Sequence, residues 1–88
     1  MSREEVTIKL TKHAKGKIAQ RGIYLDDVRK AVLTPELTKT DKFDDSLIHF
    51  IRKVRGRFLR VIGRWESEDV FLVISAFYDR RLKGREKK

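Results

Sequence analysis

The stretch LTKHAKGKIAQRGI, residues 10–23, sets His13, Lys17 and Arg21 at steps of four. On an α-helix, at about 100° per residue, these side chains fall within about 80° of one another, with Gln20 beside them. Histidine is suited to moving a proton near neutral pH. Arginine is suited to holding oxyanions, because its planar fork stays charged and matches their geometry. Further along, RFLRVIGRW supplies Arg60 and Arg64, and FLVISAFY supplies Ser75, Phe77 and Tyr78. Ser75 and Tyr78 can donate hydrogen bonds, and an aromatic ring can stack on a base. Each of these residues also has a structural reading. Arg21 in a last helical turn interacts well with exposed carbonyls, Lys17 fits a solvated face, and Trp65 fits a core or sheet-edge position. His49 reads as structural or exposed.

The elements that must position these groups can be read from hydrophobic period. VTIKL alternates Val6, Ile8 and Leu10 with polar residues, the pattern of a half-buried strand. Thr11 then caps a helix running from Lys12 to about Arg21. Ala14 and Ile18 face the core, and Gly22 supplies the left-handed stop. IYLDDVRKAVL predicts a second helix, with Asp26 and Asp27 in its first turn, where negative charge suits the helix dipole. Val28, Ala31 and Val32 form its apolar face, and Leu33-Thr34-Pro35 ends it. ELTKTDKFDDS, polar and turn-rich, reads as a loop. Three strands follow in LIHFIRKV, RFLRVIGRW and DVFLVISAFY, with Arg55-Gly56 and ESED as the turns.

The expected fold is α+β in the order β-α-α-β-β-β, an antiparallel sheet with both helices on one face. Residues 1–80 form one domain, and 81–88 a basic tail that is either a short helix or disordered. Leu59, Val61 and Trp65 then point one way, and Phe58, Arg60, Ile62 and Arg64 the other. In the last strand, Leu72, Ile74 and Ala76 oppose Val73, Ser75 and Phe77. The sheet face without helices becomes a groove floored by arginines, a serine and aromatics.

Charge narrows the function. The chain carries +9 overall, but residues 51–64 hold six basic residues and no acid, and residues 80–88 hold six basic residues and one acid. The remainder is slightly acidic. An excess concentrated in two segments is the electrostatic footprint of a polyanion binder. Arg52, Lys53, Arg55, Arg57, Arg80 and Arg81, with Lys17 and Tyr78, are the candidate nucleic-acid contacts. A cation-rich surface kept for solubility is the competing explanation. There is no cysteine, so disulfides and thiolate metal sites are excluded. Two distant histidines make a poor ligand set, and Asp44-Asp45 and Glu66/Glu68/Asp69 read as turn residues. Neither a metal nor a cofactor is expected. No apolar run approaches a membrane span, and MSREEV lacks a secretory signal's apolar region. A cytoplasmic, non-membrane protein is the expectation.

The combination of TKHAKGKIAQRGI, LDDVRKAVLTP, a basic strand and FLVISAFY resembles the domain-of-unknown-function family 4258, over roughly Val6 to Tyr78. That family is similar in element order to the RelE-type toxins of the barnase-like ribonuclease group. The resemblance implies metal-independent RNA cleavage, with free or ribosome-bound RNA as substrate and an acidic antitoxin protein as partner. It implies catalytic roles for His13, for Arg21, for Arg60 or Arg64 on the basic strand, and for Ser75. Ser75 stands where the family usually has threonine. Phe77 stands where tyrosine is common, which removes a hydroxyl. Two other functions remain open: a nucleic-acid-binding module without catalysis, and a protein-interaction domain that uses an exposed strand edge.

Overall fold

The computed structural model describes residues 5–82. The element order is β1 (Thr7–Leu10), α1 (Lys12–Gln20), α2 (Leu25–Leu33), β2 (Leu37–Thr40), β3 (Ile48–Val54), β4 (Arg57–Ser67) and β5 (Val70–Tyr78), followed by a 3-10 turn at Arg80–Leu82. The five strands form one sheet in the order β1-β5-β4-β3-β2.

Local chemistry explains the helical segment. The Thr11 hydroxyl accepts from the Ala14 N–H at 3.0 Å, closing the start of α1. At its end, Ile23 N donates to Ile18 O and Gly22 N to Ala19 O. With Gly22 at φ +66°, this is a Schellman termination, and the buried Ile18 and Ile23 supply its apolar contact. Helix α2 stops at Leu33, two residues before Pro35. Its Asp27 is buried and accepts from Arg55 Nε at 2.8 Å. Arg55 and Gly56, both at positive φ, form the two-residue turn between β3 and β4, where φ > 0 at both positions matches the strand twist.

Two expectations about the sheet are corrected. The segment read as a loop contains β2, which pairs antiparallel with β3 from Leu37↔Ile51 to Thr40↔Ile48. All four of its residues are exposed, so burial imposes no apolar alternation on it, and a period-two search passes over it. The sheet is also not wholly antiparallel: β1 runs parallel to β5, with Thr7 opposite Val70 and Leu10 opposite Val73. A parallel pair needs a crossover between its strands. Here both helices and three strands intervene.

One sheet face carries the helices. Ala14, Ile18, Val28, Ala31 and Val32 share a single cluster with Phe50, Leu59, Val61, Phe71, Val73 and Ala76. Leu59 and Val61 are buried there as expected, and the Trp65 ring meets Phe71 edge-on at 5.0 Å. The expected alternation along β5 fails at one place. Ile62 pairs with Ser75 but Gly63 with Val73, so Ile74 is an extra residue in a bulge. Val73 and Ala76 therefore share the helix face, and Leu72, Ser75 and Phe77 the other. Gly63 sits at this bulge. A Cβ there would run into the Leu72 carbonyl oxygen and come within 2.8 Å of the Phe71 ring, so only glycine allows the approach.

The second face carries Lys39, His49, Ile51, Phe58, Arg60, Ile62 and Arg64 by strand alternation. It is not left bare. After β5, Asp79 N donates to Phe58 O, and the 3-10 turn that follows buries Leu82. Arg81 and Leu82, assigned to the tail by sequence, thus belong to a packed turn. The rest of the expected tail, residues 83–88, lies outside the described residues.

Candidate nucleic-acid interface

The open face holds a chain of polar contacts that crosses three elements. His49 on β3 and Arg60 on β4 are diagonal neighbours, since His49 faces Ile62 and Arg60 faces Ile51. Long side chains reach across such a diagonal, and Arg60 Nη1 lies 2.7 Å from His49 Nδ1. His49 Nε2 lies 2.7 Å from Asp41 Oδ1, just beyond β2. Arg60 Nε donates to Asp79 Oδ2 at 2.9 Å. Asp79 Oδ1 then accepts from the Arg81 backbone N at 3.0 Å and from Arg81 Nε at 3.2 Å.

These partners fix the proton on His49. Arginine has no acceptor, so Nδ1 must be the acceptor of that contact. The remaining ring proton is on Nε2, which donates to the Asp41 carboxylate. Nη2 of Arg60 carries none of these contacts.

The carboxylates respond to this setting. Asp79 is 4% exposed. Burial alone would raise its carboxyl, but hydrogen bonds from Arg81 and the charge of Arg60 outweigh it and hold the group below the ordinary aspartate value. Asp41 is also held low, first by the His49 hydrogen bond and then by the Phe43 backbone N–H. Asp41 Oδ2 accepts from the N–H groups of both Phe43 and Asp44, and Asp44 accepts from Ser46. These Asx turns shape the 41–47 loop and leave Phe43 at its tip, 95% exposed.

A cleft of about 500 Å³ runs along this network, lined by His49, Arg60, Asp41, Lys39, Lys42, Phe43, Arg81 and Leu82, among others. Arg60 is 11% exposed and His49 15%, so both sit at its floor. Lys39 and Lys42 stand on its rim with the largely exposed Arg81.

A second cationic site lies on the other side of the 3-10 turn. Arg21, Arg57, Arg80, Phe77 and Tyr78 line a shallow depression of about 400 Å³. Strand β1 covers only Val70–Val73 of β5. Beyond it, the end of α1 reaches the β5 backbone, where Arg21 Nη1 donates to Ala76 O at 2.8 Å. The Arg57 guanidinium stacks over the Tyr78 ring at 3.8 Å.

The sequence-derived residues therefore separate into groups. Arg60 and Arg81 share the cleft, while Arg21, Arg57, Tyr78 and Arg80 share the second site. Ser75 lies on the open face opposite Ile62, and Arg64 opposite Leu72. His13 and Lys17 are on α1, whose buried residues pack on the helix face. Arg60 lies on the sheet face opposite that core cluster. Arg52 faces the helices and donates to Thr34 O at 2.7 Å. Arg55 is engaged by Asp27 and by the Tyr24 ring, and Lys53 faces Phe58 across the strands.

The residues that sequence reasoning passed over are Asp41, Asp79, Lys39, Lys42 and Phe43, and His49 was read as structural or exposed. One usable signal was Asp79 between a strand and two arginines, an aspartate placed to cap a turn. The others depended on recognising β2. Among the described residues, no group of three or more His, Cys, Asp or Glu side chains could hold a metal, and no helix is long and apolar enough to cross a membrane.

The family model of DUF4258, a domain of unknown function, matches residues 10–78, and the chain belongs to that family. No curated protein and no solved structure matches the chain.

Proposed function

We propose that this member of the DUF4258 family binds single-stranded RNA on the open sheet face and cleaves it there without a metal, in the manner of RelE-like ribonucleases. The observation that carries the reading is the cleft itself: Arg60 at its floor, Lys39, Lys42 and Arg81 around it, and an exposed Phe43 at its mouth. Lysine and arginine neutralise phosphates. An exposed aromatic ring stacks a base of any sequence. Arg60 is positioned by Asp79 and still has Nη2 for a phosphate oxygen, which suits it to stabilise charge that builds on phosphorus. The site lined by Arg21, Arg57, Arg80 and Tyr78 lies across the 3-10 turn and would take a neighbouring phosphate and base of the same strand.

Labelled single-stranded RNA incubated with the protein in EDTA tests this reading. Binding with fragment release supports it. A lack of both at low salt removes it.

One observation favours a second reading, binding without cleavage. Both nitrogens of His49, and two of the three nitrogens of Arg60, are taken by protein partners. In that case RNA binds with the same salt dependence and stays intact. An acidic antitoxin-like protein would compete for the same cations, and the exposed edge strand β2 would give it backbone to pair with.

A further inference from the structure

We infer that His49, rather than His13, is the general base of the proposed cleavage, and that Arg60 holds it in the accepting form until a phosphate draws the arginine away. The inference rests on the ribonuclease reading and deepens it.

Three features of the site point this way. First, Asp41 holds Nε2–H at 2.7 Å, so the lone pair is on Nδ1, the nitrogen on the Arg60 side. An aspartate that fixes the tautomer and a lone pair aimed at the reacting group is the general logic of an activated nucleophile. Second, Nδ1 is met only by a donor that itself binds phosphate. Arg60 Nη1 lies 2.7 Å away, while the Asp79 contact at Nε anchors the arginine independently. A small rotation of the guanidinium about that anchor would exchange His49 for a phosphate oxygen. Third, both groups open onto a cleft large enough for a nucleotide. His13 is an exposed residue of α1 and is not among the residues that line this cleft.

The step balances without a co-reactant. Nδ1 takes the proton of the ribose 2′-hydroxyl. The 2′-oxygen forms a bond to phosphorus, the bond from phosphorus to the 5′-oxygen breaks, and that oxygen takes a proton from solvent. The products are a 2′,3′-cyclic phosphate and a 5′-hydroxyl. The imidazolium, stabilised by Asp41, returns its proton to solvent. The other charged groups lining the cleft are Lys39, Lys42, Asp79 and Arg81. The cations favour the dianionic phosphorane, and Asp79 is already engaged by Arg60 and Arg81.

The test compares full-length wild type and His49→Asn in EDTA, reading both RNA affinity and cleavage of a single-stranded RNA. Asparagine can still accept from Arg60 but cannot take a proton. The expected result is a cleavage rate lower by about 100- to 10,000-fold, with RNA affinity kept and a 2′,3′-cyclic phosphate in the wild-type product. Wild-type cleavage by a folded His49→Asn protein overturns the role of His49 while the ribonuclease reading stands. No cleavage by the wild type overturns both. Should His49→Asn fail to fold, His49→Ala with added imidazole takes its place: a restored rate supports the base role, and an unrestored rate in folded protein overturns it.

Discussion

Arg60 Nη1 and His49 Nδ1 meet at 2.7 Å on adjacent strands of the open sheet face. Because arginine only donates, this contact sets the histidine's tautomer, and Asp41 and Asp79 hold the pair from its two ends. The site is a line of alternating charge laid across β3, β4 and the C-terminal turn, with its cationic members open to the cleft.

The rim cations should govern salt dependence. Replacing Lys39, Lys42 and Arg81 together by alanine is expected to reduce the slope of log affinity against log salt by about 2, since each phosphate contact to a single strand contributes about 0.7. Lys39 and Lys42 have little structural role to lose. Fluorescence anisotropy over a salt series reads the slope.

Phe43 is expected to contribute to binding and not to folding. At 95% exposure it has little buried area to lose. Phe43→Ala should weaken single-stranded RNA binding by about 1–3 kcal/mol, the usual worth of one stacked base, and leave the thermal melt unchanged. A lowered melting temperature with unchanged affinity would make Phe43 a structural residue.

Asp79 should make the fold sensitive to acid. Its folded carboxyl is held below the ordinary aspartate value, so the unfolded chain takes up its proton first as pH falls. The stabilisation is fully present above about pH 4, the unfolded aspartate value, and is lost as pH falls through the lower folded value. Asp79→Ala removes the partner of a nearly buried arginine and is expected to cost about 3 kcal/mol at neutral pH. Its stability should also fall less steeply with acid than that of wild type. Urea titrations at neutral and acid pH measure both effects.

Gly63 should tolerate no side chain. Gly63→Ala places a methyl against the Leu72 carbonyl and the Phe71 ring, and the required shift is expected to cost about 1–3 kcal/mol. The change would be seen in chemical denaturation, with no direct effect on the cleft's cations.

Much of the fold was legible because burial writes itself into sequence period. Ala14 and Ile18 four apart, Leu59 and Val61 two apart, Thr11 before a helix and Gly22 after it each have one dominant physical reading, and each is found in place. β2 was not legible, because LTKT has no buried face. The β5 bulge was not either: a single extra residue at Ile74 is set by pairing with β4 and leaves no mark in a strand that is apolar on both faces apart from Ser75.

The site was half legible. Arg60 was found from its strand face, Arg21 from its helical spacing with His13 and Lys17, and Arg57 and Arg80 from charge. Their grouping into two places depends on where β1 stops and where the 3-10 turn lies, which composition does not encode. The pairing of His13 with the strand arginines assumed that the α1 stripe and the arginines share a face. The apolar residues beside His13 draw α1 onto the opposite one. His49 looked ordinary because its partners, Asp41 and Arg60, are eight and eleven residues away and meet it only through strand register.

The most direct test is to titrate isotope-labelled protein with a short single-stranded RNA in EDTA and map the shifts of backbone, histidine and arginine signals. The expected map centres on His49, Arg60, Lys39 and Arg81, with the His49 ring signals moving as Arg60 turns to the phosphate. Shifts confined to α1 around His13 and Lys17, with the His49 and Arg60 signals unmoved at saturation, would contradict the placement of the site on the open sheet face.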